Sequence, residues 1–191
     1  PDNESLVRSK LPWMLNQVEF LNYLGLIDGN EALFKLEDED GSISEIKLEG
    51  KLWEGLKDNI ARITPEKVPF AYAKLRTWFW QEYFPEEKVL YIQYNRCNSR
   101  EVVKKFKKKD DPELPSFRTF EKEVMKSIKE NEIEKLVFDM RHNGGGYSPQ
   151  GTQLIKKISG TKLNGEGKIY VVTGRRTFSS ALLNTLDFKK E

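Results

Sequence analysis

From Lys88 onward, the chain alternates between short apolar runs and stretches in which apolar residues recur every three or four positions. The runs at residues 89–94, 136–138 and 169–172 have the length of strands buried within a sheet. Strands that alternate with helices form parallel sheets with right-handed crossovers. Residues 88–188 are therefore predicted to form an α/β fold, with a mostly parallel sheet and alternating helices.

The segments between and after these runs have the pattern of amphipathic helices. Their apolar residues are spaced by three and four positions, as in helices that bury one face. Phe117, Phe120, Val124 and Ile128 mark one helix; Leu154, Ile155 and Ile158 form the buried stripe of the next; and Ala181, Leu182, Leu183 and Leu186 continue a third helix. Residues 104–111 carry charges of both signs, which predicts a solvated helix end followed by a loop.

The first fifty residues follow a different pattern. Apolar residues from Leu11 to Leu24 predict one helix, and Gly25 predicts its end. Two runs of alternating polarity then flank Asp40 and Gly41, which together predict a β-hairpin. We expect a helix-and-hairpin segment over residues 1–66, the end of a cropped subdomain, and an α/β core over residues 67–191. The start at Pro1, without a methionine or an apolar leader, predicts that the sequence is part of a longer protein.

Composition argues against several classes of protein. Hydrophobic residues make up 38% and charged residues 32%, and no apolar run approaches the ~20 residues that span a bilayer. The net charge of +2 provides no electrostatic case for binding nucleic acid or anionic lipid. With one cysteine, Cys97, and one histidine, His142, the chain has no internal disulfide and no structural zinc site is expected.

An aromatic cluster occupies residues 51–87. It consists of Trp53, Phe70, Tyr72, Trp78, Phe79, Trp80, Tyr83 and Phe84. Such a cluster with basic neighbours is compatible with a stacking surface for single-stranded nucleic acid. Packing of a strand or helix is the favoured interpretation, because no wider basic surface accompanies the aromatics.

Two small-residue segments follow neighbouring strands of the predicted sheet. Gly144, Gly145 and Gly146 come after the run at 136–138, and Ser179 and Ser180 come after the run at 169–172. Ligands of open α/β sheets bind beyond the carboxyl ends of the strands, so we expect these segments to lie together. Exposed backbone N–H groups beside a serine hydroxyl supply an oxyanion hole and a nucleophile.

The glycines and serines also allow other interpretations. Gly146 and the residues after it resemble a phosphate-binding loop, but Thr152 stands where that loop requires lysine. Glycines also permit a tight turn with close helix–strand packing. Each serine could cap a helix, and Cys97 could be either a nucleophile or a buried thiol, the latter being favoured.

Two segments resemble the C-terminal processing peptidases, also called tail-specific proteases. Asp139-Met140-Arg141-His142-Asn143-Gly144-Gly145-Gly146 is similar to the family's Asp-Leu-Arg-x-Asn-x-Gly-Gly signature. The segment Thr177-Phe178-Ser179 is similar to its Thr-x-Ser segment. The resemblance covers residues 88–188 and implies a partial tail-specific protease core with crotonase- or ClpP-like layering. It implies a serine endopeptidase acting on unfolded or C-terminally tagged polypeptides, without metal or organic cofactor. It also favours an extracytoplasmic or cell-envelope location, which nothing else in the sequence indicates.

The resemblance also implies roles for individual residues. Ser179 is the nucleophile, and the backbone N–H groups of Gly145 and Ser180 hold the oxyanion, with Gly144 as the alternative donor. Asp139 and Arg141 are expected to keep the glycine turn in shape. The family uses a lysine as general base on a later strand, and that position is not among residues 1–191.

Two alternatives to this assignment stay open. His142 could act as the base of a Ser-His-Asp triad with Asp139 or Asp187, although it lies within the turn itself. The chain could also be a non-catalytic module that retains the peptidase fold to bind a peptide or a hydrophobic ligand. The oligomeric state and the presence of a PDZ domain are not indicated by the sequence.

Overall fold

In a computed structural model of the chain, residues 4–51 and 66–190 are described. The chain divides into two compact units, Pro1–Lys67 and Val68–Glu191. Trp53, one of the predicted aromatic cluster, lies outside the described residues. The assignment of residues 1–66 and 67–191 to functional domains stays a prediction.

The first unit contains helices α1 (Glu4–Met14) and α2 (Val18–Tyr23). The single helix predicted between Leu11 and Leu24 was wrong, because the chain leaves the helix at residues 15–17. Asn16 lies in this break, and asparagine favours turns over helix interiors. The predicted end at Gly25 is confirmed: Gly25 has φ +67° and its N–H donates to Asn22 O, while Leu26 N–H donates to Leu21 O.

The described part of the first unit also contains a β-hairpin. Strands β1 (Glu31–Glu37) and β2 (Ile43–Glu49) pair antiparallel, with Phe34 opposite Ile46. Gly41 adopts φ +82° in the connecting loop, where Ser42 N–H donates to the Asp40 carboxylate at 2.9 Å. The Asp-Gly turn signal therefore located the hairpin correctly.

The second unit is built on a four-stranded sheet in the order β3-β4-β5-β6. The strands are β3 (Phe79–Phe84), β4 (Val89–Tyr94), β5 (Lys135–Asp139) and β6 (Ile169–Val172). Strands β4, β5 and β6 are parallel, whereas β3 pairs antiparallel with β4 at the edge. The predicted α/β class with a mostly parallel sheet is confirmed.

Five helices of the second unit accompany this sheet. They are α3 (Phe70–Ala73), α4 (Arg100–Lys107), α5 (Phe117–Glu130), α6 (Ser148–Ser159) and α7 (Ser180–Lys190). The charged segment at 104–111 was predicted as a helix end and loop, and it is the second half of α4 with the loop that follows. The Ser99 hydroxyl caps α4 by accepting a hydrogen bond from Val102 N–H at 3.2 Å.

The hydrophobic core lies on one face of the sheet. Alternate residues of β4 (Leu90, Ile92 and Tyr94) are fully buried there, together with Leu136 and Phe138 of β5. Helix α5 contributes Phe117, Phe120, Val124 and Ile128, the residues that marked this helix in the sequence, and α6 contributes Leu154 and Ile158.

The opposite face carries much of the aromatic cluster. Phe70 of α3 packs edge-on against Trp80 and Tyr91, with ring centroids 5.2 Å and 4.9 Å away. Trp80 Nε1–H donates to the buried Gln93 at 2.7 Å. These aromatic rings pack against each other on one face of the sheet, as the packing interpretation predicted.

Among the described residues, no helix is both long and apolar enough to cross a membrane.

Candidate active site

The carboxyl ends of β5 and β6 lead into two turns that contact each other. We call residues 143–146 the glycine turn and residues 177–180 the serine turn. Phe178 N–H donates to Asn143 O at 3.0 Å, which joins the two turns directly. A Cβ atom built on Gly145 would lie 2.8 Å from Ser179 Cβ and 3.1 Å from Ser180 N. The segments that the sequence predicted to meet are therefore in van der Waals contact.

Asn143 organises the glycine turn from a fully buried position. Its Nδ2 donates to Tyr94 O at the end of β4 at 2.7 Å, and its Oδ1 accepts the N–H of Gly145 at 2.9 Å. The side chain thus connects the turn to the neighbouring strand and fixes the orientation of the Gly145 amide.

The glycine turn also forms a short bridge with the loop after β4. Cys97 N–H donates to Gly145 O at 3.1 Å, and Tyr147 N–H donates to Cys97 O at 2.6 Å. Gly146 has φ +135°, and a Cβ there would stand 2.2 Å from Cys97 O. Only glycine satisfies both the backbone conformation and the close approach at this position.

The two serines occupy opposite environments. Ser179 is exposed and adopts φ +53°, a conformation that L-residues rarely take, immediately before α7 begins. Ser180 is 8% exposed, and its hydroxyl donates to Gly146 O at 2.6 Å. Ser180 is therefore held by the glycine turn, whereas Ser179 is presented to solvent.

The backbone donors around Ser179 differ in availability. The Gly145 N–H is engaged by Asn143 Oδ1 at 2.9 Å. The N–H groups of Gly144 and Ser180 have no hydrogen-bond partner within residues 4–51 and 66–190. Ser180 N is the first amide of α7, where helix geometry leaves the donor unsatisfied and the helix dipole favours negative charge.

Asp139 and Arg141 support the turn from β5. Asp139 is fully buried and accepts hydrogen bonds from Tyr91 OH at 2.6 Å and from Arg141 N–H at 2.9 Å. The Arg141 guanidinium also pairs with Asp139, at 2.8 Å from Nε. The pKa of Tyr91 is raised well above its ordinary range. Burial is the larger cause, and the hydrogen bond to Asp139 is the second. These contacts agree with a structural role for both residues.

His142 forms no hydrogen bond with Ser179 or Ser180 within the described residues. Its ring packs edge-on against Tyr72 with centroids 4.8 Å apart, and its Nε2 is buried without a hydrogen-bond partner in the described part of the chain. Burial lowers the pKa of His142 below the ordinary value of 6.5. Asp187 is hydrogen-bonded to Thr152 Oγ1 at 2.6 Å. The described residues therefore contain no Ser-His-Asp hydrogen-bonded triad.

No side chain among residues 4–51 and 66–190 is hydrogen-bonded to the Ser179 hydroxyl. Lys189 and Lys190 are exposed in the last turn of α7, at the opposite end of the helix from Ser179. In the same ranges, no group of three or more His, Cys, Asp or Glu side chains is placed to hold a metal ion.

Three supporting residues were not singled out from the sequence. Thr177 Oγ1 donates to Met140 O at 2.8 Å and accepts Gly174 N–H at 2.9 Å, which clamps the serine turn to the end of β5. Asn184 of α7 is fully buried and donates to Ser148 O of α6 at 3.1 Å. Asn143 and Thr177 both occur within the two quoted motifs, and Asn184 is a polar residue next to the apolar pair Leu182 and Leu183, so these were the available signals.

Comparison with known proteins assigns no family. No protein-family model matches the chain, and no curated protein matches it. A solved structure from Parabacteroides merdae, named a "putative peptidase", resembles it with 13% identity and a TM-score of 0.40. The match covers 100% of this chain and 64% of the other. Similarity at that level establishes neither a shared fold nor an activity for this chain.

Proposed function

We propose that the second unit carries the nucleophile and oxyanion hole of a serine endopeptidase of the tail-specific type. Ser179 Oγ attacks the carbonyl carbon of the scissile peptide bond while a general base accepts the hydroxyl proton. The tetrahedral intermediate collapses as the C–N bond breaks and the base returns the proton to the leaving amine. Water then hydrolyses the acyl-serine ester. The motif resemblance suggests unfolded or C-terminally tagged polypeptides as substrates.

The environment of Ser179 is the observation that carries this proposal. Ser179 is exposed at φ +53° between a strand and a helix, directly against Gly145. A strained serine on a strand-to-helix turn is a recurrent way to present a hydroxyl nucleophile to substrate. Ser180, with its hydroxyl bound to Gly146 O, fits the role of a neighbour that contributes only its backbone N–H.

The oxyanion hole requires donors that point to the developing charge. Ser180 N–H is unpaired among the described residues and begins α7, so it suits this role. Gly145 N–H is hydrogen-bonded to Asn143 Oδ1, so it serves only if substrate shares or displaces that bond. Gly144 N–H, the alternative donor, has no such competitor within the described ranges.

A non-catalytic binding module is the second candidate. It is favoured by the engaged Gly145 N–H and by the absence of a base hydrogen-bonded to Ser179 in residues 4–51 and 66–190. In that case the same edge would hold a peptide or hydrophobic ligand without cleaving it. The lysine expected from the motif resemblance is the group that separates the two candidates.

Covalent labelling tests the proposal. A fluorophosphonate is incubated with this chain and with the longest natural form that contains it, and the adduct is located by peptide mass spectrometry. We expect an adduct on Ser179 in the longer form, none after Ser179→Ala, and little on the 191-residue chain, because an unactivated serine hydroxyl is a weak nucleophile. An adduct on Ser180, or none in either form, would reject the assignment and favour the binding module.

A further inference from the structure

A cavity lies beside Tyr147, the residue that directly follows the glycine turn. It has a volume of about 510 Å³ and lies among α4, α5 and α6. Phe117 and Val102 supply apolar surface, and Tyr147 and Gln150 supply a wall from the first turn of α6. Gln150 is 7% exposed and is fixed by donating to Tyr94 OH at 2.8 Å, so this wall is rigidly attached to the end of β4.

The cations around this cavity outnumber the available anions. Lys105, Arg118, Lys122 and Lys157 line it together with two carboxylates, Glu101 and Glu121. Glu121 forms an ion pair with Lys157. The Glu101 carboxylate accepts hydrogen bonds from Ser116 and from Phe117 N–H at the start of α5. Arg118 and Lys122 have no ion-pair partner within the described residues.

Lys105 connects this charge to the glycine turn. Its ammonium donates to Tyr147 OH at 2.8 Å and lies 4.7 Å from the centre of the Tyr147 ring. Tyr147 directly follows Gly146, whose carbonyl accepts the Ser180 hydroxyl. The cavity wall therefore directly follows the residue whose carbonyl positions the serine turn.

We infer that this cavity is a subsite for a carboxylate of the polypeptide that occupies the Ser179 edge. The carboxylate belongs either to an acidic side chain of the bound polypeptide or to that polypeptide's C-terminus. Arg118, Lys122 and Lys105 hold the carboxylate. Phe117 and Tyr147 contact the adjoining apolar atoms of the polypeptide. This inference rests on the proposed peptidase function for the polypeptide ligand, but its charge selectivity is measurable without cleavage.

Peptide binding provides the test. Ser179→Ala protein is titrated into four fluorescein-labelled octapeptides of alanine and leucine, and fluorescence anisotropy is recorded. One has a free C-terminus, one is amidated, and two amidated versions contain an internal Glu or Gln. We expect a carboxylate-bearing peptide to bind more tightly than its neutral match, with the advantage reduced on raising salt from about 20 mM to about 300 mM. The two carboxylate arms identify which source the cavity takes.

Substitutions locate the carboxylate. Arg118→Gln and Lys122→Gln should each weaken the preferred peptide by about two- to fivefold, the range for exposed ion pairs. Arg118→Glu should shift the preference towards an amidated peptide that contains Lys. Lys129→Gln, on the last turn of α5 and outside the cavity, is the matched control and should leave affinity unchanged.

Equal affinity for acidic and neutral peptides, or equal losses in Arg118→Gln and Lys129→Gln, would overturn the inference. Fluorophosphonate labelling distinguishes failure of the cavity inference from failure of the proposed peptidase function. Labelling of Ser179 without charge selectivity rejects the cavity alone. Charge selectivity with no labelling of Ser179 in either form of the protein supports the carboxylate site and rejects the peptidase.

Discussion

The glycine turn and the serine turn end neighbouring parallel strands, but they are held in different ways. In the glycine turn, contacts from β4 and the loop after it fix the backbone through Asn143 and Cys97. In the serine turn, Thr177 and Ser180 are fixed on either side of Ser179, whose own hydroxyl has no partner in the described part of the chain. Rigid contacts thus surround one strained and exposed residue, which is the arrangement expected when strain is concentrated at a functional group.

The largest expected effect on stability is that of Gly146→Ala, which disrupts the close contact between the glycine turn and Cys97. Gly146→Ala should lower the free energy of unfolding by at least about 3 kcal/mol, because alanine is disfavoured at φ +135° and its Cβ would stand 2.2 Å from Cys97 O. Urea denaturation measures the change. Gly144→Ala is the matched control: a Cβ there meets nothing within 4 Å, so the change should stay within about 0.5 kcal/mol. Similar losses in both variants would contradict a specific role for the bridge.

The next effect concerns the side chain that connects the glycine turn to β4. Asn143→Ala should cost about 2–3 kcal/mol, since it leaves Tyr94 O and Gly145 N–H without their buried partner. The freed Gly145 amide should also exchange its hydrogen faster, as followed by NMR. Asn164→Ala replaces an exposed asparagine and should be nearly neutral. Unchanged exchange at Gly145 would mean that Asn143 does not control this donor.

The adjacent serines sharpen the comparison, because substitutions at Ser179 and Ser180 should change the free energy of unfolding in opposite directions. Ser180→Ala removes the hydrogen bond to Gly146 O and should destabilise by about 1–2 kcal/mol. Ser179→Gly relieves the φ +53° conformation and should stabilise by about 0.5 kcal/mol, after the greater unfolded-state freedom of glycine is counted. Thermal and urea unfolding of both variants tests this. Destabilisation by Ser179→Gly would show that Ser179 is not strained.

The smallest expected effect is a pH dependence beside the glycine turn. Burial lowers the folded-state pKa of His142 below 6.5, so the unfolded chain binds this proton more readily. Stability should therefore decrease as pH falls from about 7 through 6.5 and level off below the folded-state pKa. His142→Gln should remove this part of the slope when unfolding is measured across the same pH range. Identical slopes in the two proteins would indicate that His142 is solvated.

The sequence predicted the parts of this fold that depend on local patterns. The period-two run after residue 43 and the Asp40–Gly41 signal defined the hairpin, and the apolar run at 136–138 defined β5. It did not predict the break at Asn16 or the antiparallel pairing of β3. That pairing is a hairpin through residues 85–88, with Phe84 opposite Val89. Phe79 of β3 packs against Phe117 of α5, a contact between residues that are remote in sequence.

For the candidate site, strand order predicted the meeting of Gly145 with Ser179 because both follow parallel neighbours. The sequence motifs did not reveal that the Gly145 amide is engaged by Asn143. Amide orientation is set by tertiary contacts with β4, and these become visible only when the loops are packed. The catalytic roles of Ser179, Gly145, Ser180 and Gly144 stay predictions.

Cys97 offers a direct way to follow the motion of this edge. It is the single cysteine of the sequence, it is fully buried, and its thiol donates towards Asn143 Oδ1 and Asn184 Oδ1. Burial raises the pKa of this thiol, which makes the closed state unreactive. A thiol reagent can therefore modify Cys97 only while the contacts around the glycine turn are open. The concentration and time dependence of that modification would measure how often the edge opens without global unfolding.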